Sequence, residues 1–370
     1  MMDPAADGGT AGDGPIRVGL IGYGLGGSVF HAPLVAATPG MQLTSIVTSD
    51  PTRQDAARHR YPGARVLSTV DDLWAVAGDH DVVVISTINS AHLPLGLAAI
   101  HAGPAVVMDK PFTPTAADGE RLLAAARDRE VPITAFQNRR WDSDFLTVRR
   151  LLDEGTLGMP ARLESRFERW RPERNPDAWR ERSGAAEAGG LLFDLGSHLI
   201  DQAMQLFGRP THVYAELDRR RPGAQVDDDT FVALTHRDGV HSHLWMSAVA
   251  PLFGPRLRVL GSKGAFQSFG LDGQEDALAA GGDPGTPGWG IEPADRWGTL
   301  ATEDGERPVE FERGAYPAFY AGVAAALRAG VPMPVDPWDS VAGLHVIEAA
   351  ARSAASGSVE TVSYGAAGDD

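Results

Sequence analysis

No cysteine occurs in the 370 residues. Disulfides, thiolate zinc sites and cysteine nucleophiles are therefore excluded. Lysine is almost as scarce: Lys110 and Lys263 are the two present, and every other one of the 33 basic residues is arginine. Long apolar runs are missing too. None approaches the roughly 18 residues that would suggest a membrane span. Positive charge is in deficit, with a net charge of −16, which disfavours nucleic-acid or anionic-membrane partners. The first 15 residues have neither a basic start nor an apolar stretch, so residues 1–15 read as a disordered leader rather than a signal peptide. With no cysteine and no export signal, a cytoplasmic location is expected.

What is present is a hydrophobic content of 43%, enough for a substantial core, in a chain long enough for two domains. Apolar strand-like runs alternate with helical ones through the first half: strands at 16–21, 42–47, 81–86, 105–108 and 132–136, and helices through 37 and at 51–60, 91–102 and 115–129. That alternation predicts a doubly wound parallel sheet covered on both faces. Beyond residue 136 the pattern changes. A helix at 142–154 and a long strand at 161–171 come first. A helix at 196–207 follows, then strand-like runs at 212–217, 230–234, 241–249, 256–260 and 264–269. These predict an α+β domain with a large, open, mostly antiparallel sheet. Residues 270–314 are rich in Gly, Pro and Asp and read as long loops, and two helices near 317–329 and 339–355 close the chain. The expected division is a Rossmann domain at 16–137, a substrate-binding and oligomerisation domain at 138–360, and a tail at 361–370.

Between the first strand and the first helix, Gly22, Gly24 and Gly27 stand in G-x-G-x-x-G spacing, with Tyr23 and Leu25 between them. The first glycine permits the tight turn, the second lets a pyrophosphate approach the backbone, and the third lets helix and strand pack closely. Strand before and helix after make this a dinucleotide site. At the end of the second strand, Thr48 takes the place where NAD enzymes carry an acidic residue. Thr48 and Ser49 leave room for a 2′-phosphate, and Arg53 is placed to neutralise it. The expected cofactor is NADP(H), with NAD(H) the alternative if Asp50 binds the ribose instead of capping the following helix.

Two further signals concern chemistry. Lys110 ends the fourth-strand run 105–110. It places an amine, which can exchange a proton when desolvated, where arginine is the default. Asp194 and His198 are four apart, a spacing that shares a helix face, and Asp201 falls on the same stripe. The expectation is that Asp194 orients the His198 imidazole for proton transfer. Asn138, Arg140 and Asp142, just past the last strand of the first half, are expected at the substrate or nicotinamide. Seven arginines between 162 and 182 interleave with glutamates. They read as a salt-paired sheet face, or else Arg169, Arg171 and Arg180 line a polar pocket. Trp170 and Trp179 would suit a sugar's apolar face. His241 and His243 read as ordinary strand histidines, and no metal site is expected.

Three separated motifs resemble the glucose–fructose oxidoreductase / inositol dehydrogenase / rhizopine catabolism (Gfo/Idh/MocA) family. Asp109-Lys110-Pro111 resembles its Glu-Lys-Pro, with a shorter acid. Thr87-Ile88-Asn89-Ser90-Ala91-His92 resembles its T-P-N-x-x-H run, which implies cofactor contacts at Thr87, Asn89, His92 and Asp109. The segment 190–198 resembles G-x-x-x-D-x-G-x-H. The segments 24–33, 138–145 and 198–202 are similar to the branch holding NADP-dependent scyllo-inositol dehydrogenases. The resemblance implies hydride exchange with a secondary alcohol of an inositol, sugar or polyol, with Lys110, Asp194 and His198 catalytic and a homodimer or homotetramer as the assembly. The other readings are a reductase of another carbonyl, such as a dihydrodiol or tetrapyrrole, and a non-catalytic cofactor sensor.

Overall fold

In the computed structural model, residues 14–174 and 188–365 are described. Trp179, Arg180 and Arg182 lie outside them. The first half builds six strands: β1 (Ile16–Ile21), β2 (Met41–Val47), β3 (Arg65–Leu67), β4 (Val82–Ile85), β5 (Ala105–Met108) and β6 (Ile133–Ala135). They form one sheet in the order β3-β2-β1-β4-β5-β6, with every neighbouring pair parallel. Strands buried on both faces read as unbroken apolar runs, and all four residues of both β4 and β5 are buried. Each such Val or Ile contributes about 1.5–3 kcal/mol by leaving water.

The strand order reverses between β1 and β4. That switch point opens a crevice at the carboxyl ends of the strands. Crossing helices are α1 (Ala32–Ala37), α2 (Pro51–Arg60), α3 (Val70–Trp74), α4 (His92–Ala102) and α5 (Ala116–Asp128). Strand β3 and helix α3 did not stand out in the sequence, because three alternating residues and a five-residue turn carry too little periodicity. Asp50 caps α2 as expected, its carboxylate accepting from the Arg53 N–H at 3.1 Å.

After α6 (Ser143–Asp153) comes a nine-stranded sheet. Its strands are β7 (Pro160–Glu168), β8 (Pro210–Asp218), β9 (Asp229–His236), β10 (His241–Ser247), β11 (Leu257–Gly261), β12 (Gly264–Ser268), β13 (Gly298–Thr302), β14 (Gly305–Val309) and β15 (Glu360–Thr361). The order is β14-β13-β12-β11-β7-β10-β9-β8-β15. Only β7 and β10 run parallel. Strict burial alternation along β9 puts Val232 and Leu234 inward and leaves Phe231 and Ala233 on an open face. The stretch 270–314, expected as loops, holds helix α8 (Gln274–Ala279) as well as β13 and β14; strands of five residues rich in Gly, Thr and Glu carry no apolar alternation to announce them.

Helix α7 (Ser197–Phe207) covers the inner sheet face, while α9 (Pro317–Ala329) and α10 (Pro337–Ser356) return to the first half. Thr134 Oγ1 donates to the Val335 carbonyl at 2.7 Å, and Glu348 accepts from the Ala116 N–H at 2.8 Å. The two sheets thus share helices. No helix among the described residues is long and apolar enough to cross a membrane.

Candidate active site

The glycine loop behaves as its spacing demands. Gly22 has φ +97°, and a Cβ there would sit 1.9 Å from the Ser86 carbonyl oxygen. A Cβ on Gly27 would sit 2.0 Å from the Gly22 carbonyl oxygen, so helix and strand meet there with no room for a side chain. Gly24 differs: the only atom near its would-be Cβ is an Arg53 nitrogen at 3.8 Å. Its surface is therefore open, as a backbone cradle for a pyrophosphate must be. At the end of β2, Thr48 is buried, while Ser49 and Arg53 are exposed. The residues present fit a dinucleotide, with Arg53 reaching over the loop. The Tyr23 ring is packed edge-on against Tyr61, centroids 6.5 Å apart, so this residue has only its backbone to offer. Leu25 is 60% exposed.

Past β5, Asp109 is fixed by three neighbours. Ser86 Oγ donates to its Oδ2 at 2.7 Å, the Lys110 N–H donates to its Oδ1 at 2.8 Å, and His31 Nε2 lies 3.4 Å away. Burial opposes this charge, yet His31 and Ser86 hold the carboxyl well below the usual range. His92 is wholly buried, its Nδ1 2.8 Å from the Pro111 carbonyl, and it steadies the turn after Lys110. Asn89 donates to the Ala188 carbonyl at 3.0 Å, joining the halves. Thr87 is half-buried, its hydroxyl donating to the Ile88 carbonyl at 3.4 Å.

Lys110 and His198, 88 positions apart, line one cavity of about 320 Å³ with Gly26, Asp109, Asn138 and Asp194. The Lys110 ammonium donates to Asp194 Oδ1 at 2.9 Å and to the Asp194 backbone carbonyl at 2.6 Å. This corrects the expected Asp194–His198 pairing. Residues Leu192–Gly196 form a π-turn before α7, and its wider turn shifts the phase that α-helical spacing assumes. The Asp194 carboxylate faces the amine, and Asp201 leaves the stripe for Arg140. His198 Nδ1 is buried with no hydrogen-bond partner among the described residues. Burial first, then the nearby Lys110 and Arg139 charges, hold His198 well below its ordinary pKa, against the pull of Asp194 and Asp109. The environment favours the neutral imidazole.

Two other expectations are corrected. Arg140 is absent from the cavity wall: it pairs with Asp201 at 2.6 Å and Asp339 at 2.9 Å, buried between α7 and α10. Asp142, 1% exposed, accepts from the Tyr316 hydroxyl at 2.7 Å. Burial first, and then the neighbouring Asp272 and Asp144 charges, push its carboxyl up to about 8 despite Arg139. Both residues follow the last Rossmann strand, but the short turn at 138–141 points them into the protein. Trp170 is 53% exposed and off the cavity wall. Conversely, Arg139 and Glu275 line the cavity and pair with each other. Glu275 was hidden in the pattern-poor stretch, and Arg139 had only its adjacency to Asn138 as a signal. His243 is half-buried and His241 exposed on β10, and among the described residues no group of three or more metal-binding side chains converges.

Residues 16–136 match the NAD-binding Rossmann fold of the GFO_IDH_MocA oxidoreductase family, and residues 145–267 match the GFO/IDH/MocA C-terminal domain. The chain belongs to the Gfo/Idh/MocA family. It is an NAD(P)-dependent oxidoreductase. It is 36% identical to the scyllo-inositol 2-dehydrogenase (NADP(+)) IolW of Bacillus subtilis (strain 168), over 91% of this chain and 93% of that one. It is 41% identical to the uncharacterized oxidoreductase YdgJ of Escherichia coli (strain K12), over 92% and 96%. The solved structure of yvaA from Bacillus subtilis superposes with a TM-score of 0.89 at 34% identity, covering 95% of this chain and 99% of that one.

Proposed function

We propose that this Gfo/Idh/MocA enzyme is an NADP(H)-dependent dehydrogenase of a secondary alcohol on an inositol, sugar or related polyol. One observation carries this reading: an amine from the first half and an imidazole from the second line the same cavity, at the carboxyl ends of the Rossmann strands. The similarity to a scyllo-inositol dehydrogenase supports the substrate class. For the cofactor, the support is the exposed Ser49 and Arg53 beside the open Gly24, together with the use of Asp50 as a helix cap.

When bound, the nicotinamide accepts or returns the hydride. Lys110 has three N–H donors, and Asp194 takes two of them. The third is left for the reacting oxygen, whose developing charge it stabilises. His198, held neutral, takes the hydroxyl proton as the alcohol is oxidised and returns it in the reverse direction. Asp109 anchors the Lys110 backbone N–H. Asn138 is on the wall and is assigned to substrate hydroxyls. A second copy would dock on the open sheet face, where the Phe231 and Trp245 rings lie 5.1 Å apart at a tilt of 40°, giving a homodimer or homotetramer.

The test is a polyol screen with NADP⁺ and NAD⁺, followed at the reduced-nicotinamide absorbance. A polyol oxidised with higher kcat/KM for NADP⁺ is expected. A clear NAD⁺ preference ends the NADP reading, and a screen in which only non-polyol carbonyls react ends the polyol reading.

A further inference from the structure

The arginine-rich stretch divides in two. On β7, Arg162 pairs with Glu164 at 3.2 Å, and Arg166 reaches Glu164 at 3.4 Å and Glu168 at 3.8 Å. This is the salt-paired sheet face. Arg169 and Arg171 have no carboxylate within ion-pair distance among the described residues, and both line the cavity that holds Lys110 and His198.

Their direction is fixed by backbone. The Arg169 N–H donates to the Ser247 carbonyl at 2.8 Å and the Arg171 N–H to the Ala248 carbonyl at 2.7 Å. The segment therefore stays beside the end of β10, with Trp170 bridged to Val249. Both arginines reach the same cavity wall. The other charged groups on the wall are engaged. Lys110 holds Asp194, Arg139 holds Glu275 and Arg221 holds Asp228. Asp227 accepts from Thr230 Oγ1 and the Leu192 N–H. In a chain with 49 acidic residues against 33 basic ones, two neighbouring guanidiniums with no carboxylate in ion-pair contact among the described residues run against the composition.

We propose that the substrate carries an anionic group, a carboxylate or a phosphate, and that Arg169 and Arg171 bind it while Lys110 holds the reacting oxygen. This rests on the reading of the cavity as a polyol site and narrows its substrate class. Two guanidiniums offer donors only, whereas neutral hydroxyls need acceptors as well. The planar fork matches a carboxylate or phosphate edge in bidentate fashion. Burial first, then Arg171, lower the Arg169 pKa against the pull of Asp194 and Glu275; an anion between the two arginines would add to that pull. The dinucleotide's own phosphates belong at the glycine loop on the other sheet.

The experiment compares kcat/KM of the wild-type enzyme with NADP⁺ for three groups of probes. They are neutral myo- and scyllo-inositol, the carboxylates D-gluconate and D-galacturonate, and the phosphates glucose 6-phosphate and inositol monophosphate. The expected result is a preference of at least tenfold for one anionic group, and which group leads tells carboxylate from phosphate. Arg169→Gln should raise KM for that group by roughly ten- to a hundredfold with less change in kcat, and Arg169→Lys should restore part of it. Arg171→Gln, at an exposed position, gives the same test should Arg169→Gln fail to fold. Calorimetry with D-gluconate and inorganic phosphate on the NADP⁺-saturated enzyme reads binding without turnover. If neutral polyols are oxidised best and the arginine variants leave the anionic-to-neutral ratio unmoved, the anion subsite is overturned and the dehydrogenase reading stands. If no polyol is oxidised but an anion binds wild type and not Arg169→Gln, the subsite stands and the polyol reading falls. If no anion binds or reacts, the subsite is overturned.

Discussion

The Lys110 ammonium sits 2.9 Å from the Asp194 carboxylate, and this ion pair crosses from the first half of the chain to the second. The amine that would meet the substrate is thus aimed by a residue of the opposite domain. Lys110→Ala is expected to lower kcat by about a hundredfold or more with the NADPH dissociation constant kept, by fluorescence titration. Asp194→Asn retains the carbonyl contact but loses the charge, and should cost about tenfold in kcat. Near-wild-type turnover in both would remove Lys110 from the chemistry.

His198 should set the acid limb of the pH profile lower than an ordinary histidine does. Its folded pKa is depressed by burial and by Lys110 and Arg139. The neutral, proton-accepting form therefore persists as pH falls through the usual value of about 6.5. Alcohol oxidation should hold until below that pH, and His198→Ala should lose about a hundredfold in kcat. A limb centred at or above an ordinary histidine value in wild type sinks the assignment. The stability sign follows as well: below about pH 6.5 the unfolded imidazole binds a proton that the folded one refuses, so stability declines toward acid.

Gly22 and Gly24 should separate folding from cofactor binding. Gly22→Ala puts a methyl 1.9 Å from a carbonyl oxygen at φ +97° and should cost about 2 kcal/mol or more in denaturant unfolding. Gly24→Ala meets only the end of Arg53. It should unfold like wild type yet weaken NADPH binding by tenfold or more, because its methyl occupies the phosphate's approach. Equal effects of the two on unfolding would contradict the open cradle.

Arg140→Ala should act on stability rather than on KM. It strands Asp201, which is 4% exposed, and breaking a buried pair costs about 3–5 kcal/mol. Chemical denaturation should show this loss, and KM measured at a temperature where the variant is folded should stay within about twofold. A selective rise in KM would return Arg140 to the substrate.

The sequence revealed the Rossmann half almost strand for strand, because buried parallel strands and capped helices leave strong local patterns. It also singled out Lys110, Asp194 and His198, which the fold brings to one cavity wall. What it missed depends on geometry that spacing does not encode. The π-turn at Leu192–Gly196 re-aimed Asp194, and the turn at 138–141 sent Arg140 and Asp142 inward while leaving Arg139 at the cavity. Glu275 reaches the site from a stretch whose short helix and hairpin have no apolar rhythm.

The capping role of Asp50 has a consequence for anyone wishing to redirect coenzyme choice. Its carboxylate is already committed to the first turn of the helix that follows β2, so it is not free to grip an adenosine ribose without loosening that turn. A designer seeking an NAD-selective variant would have to install the acid one or two positions earlier, at Ser49 or Thr48, and accept that Arg53 then has a new neighbour to satisfy.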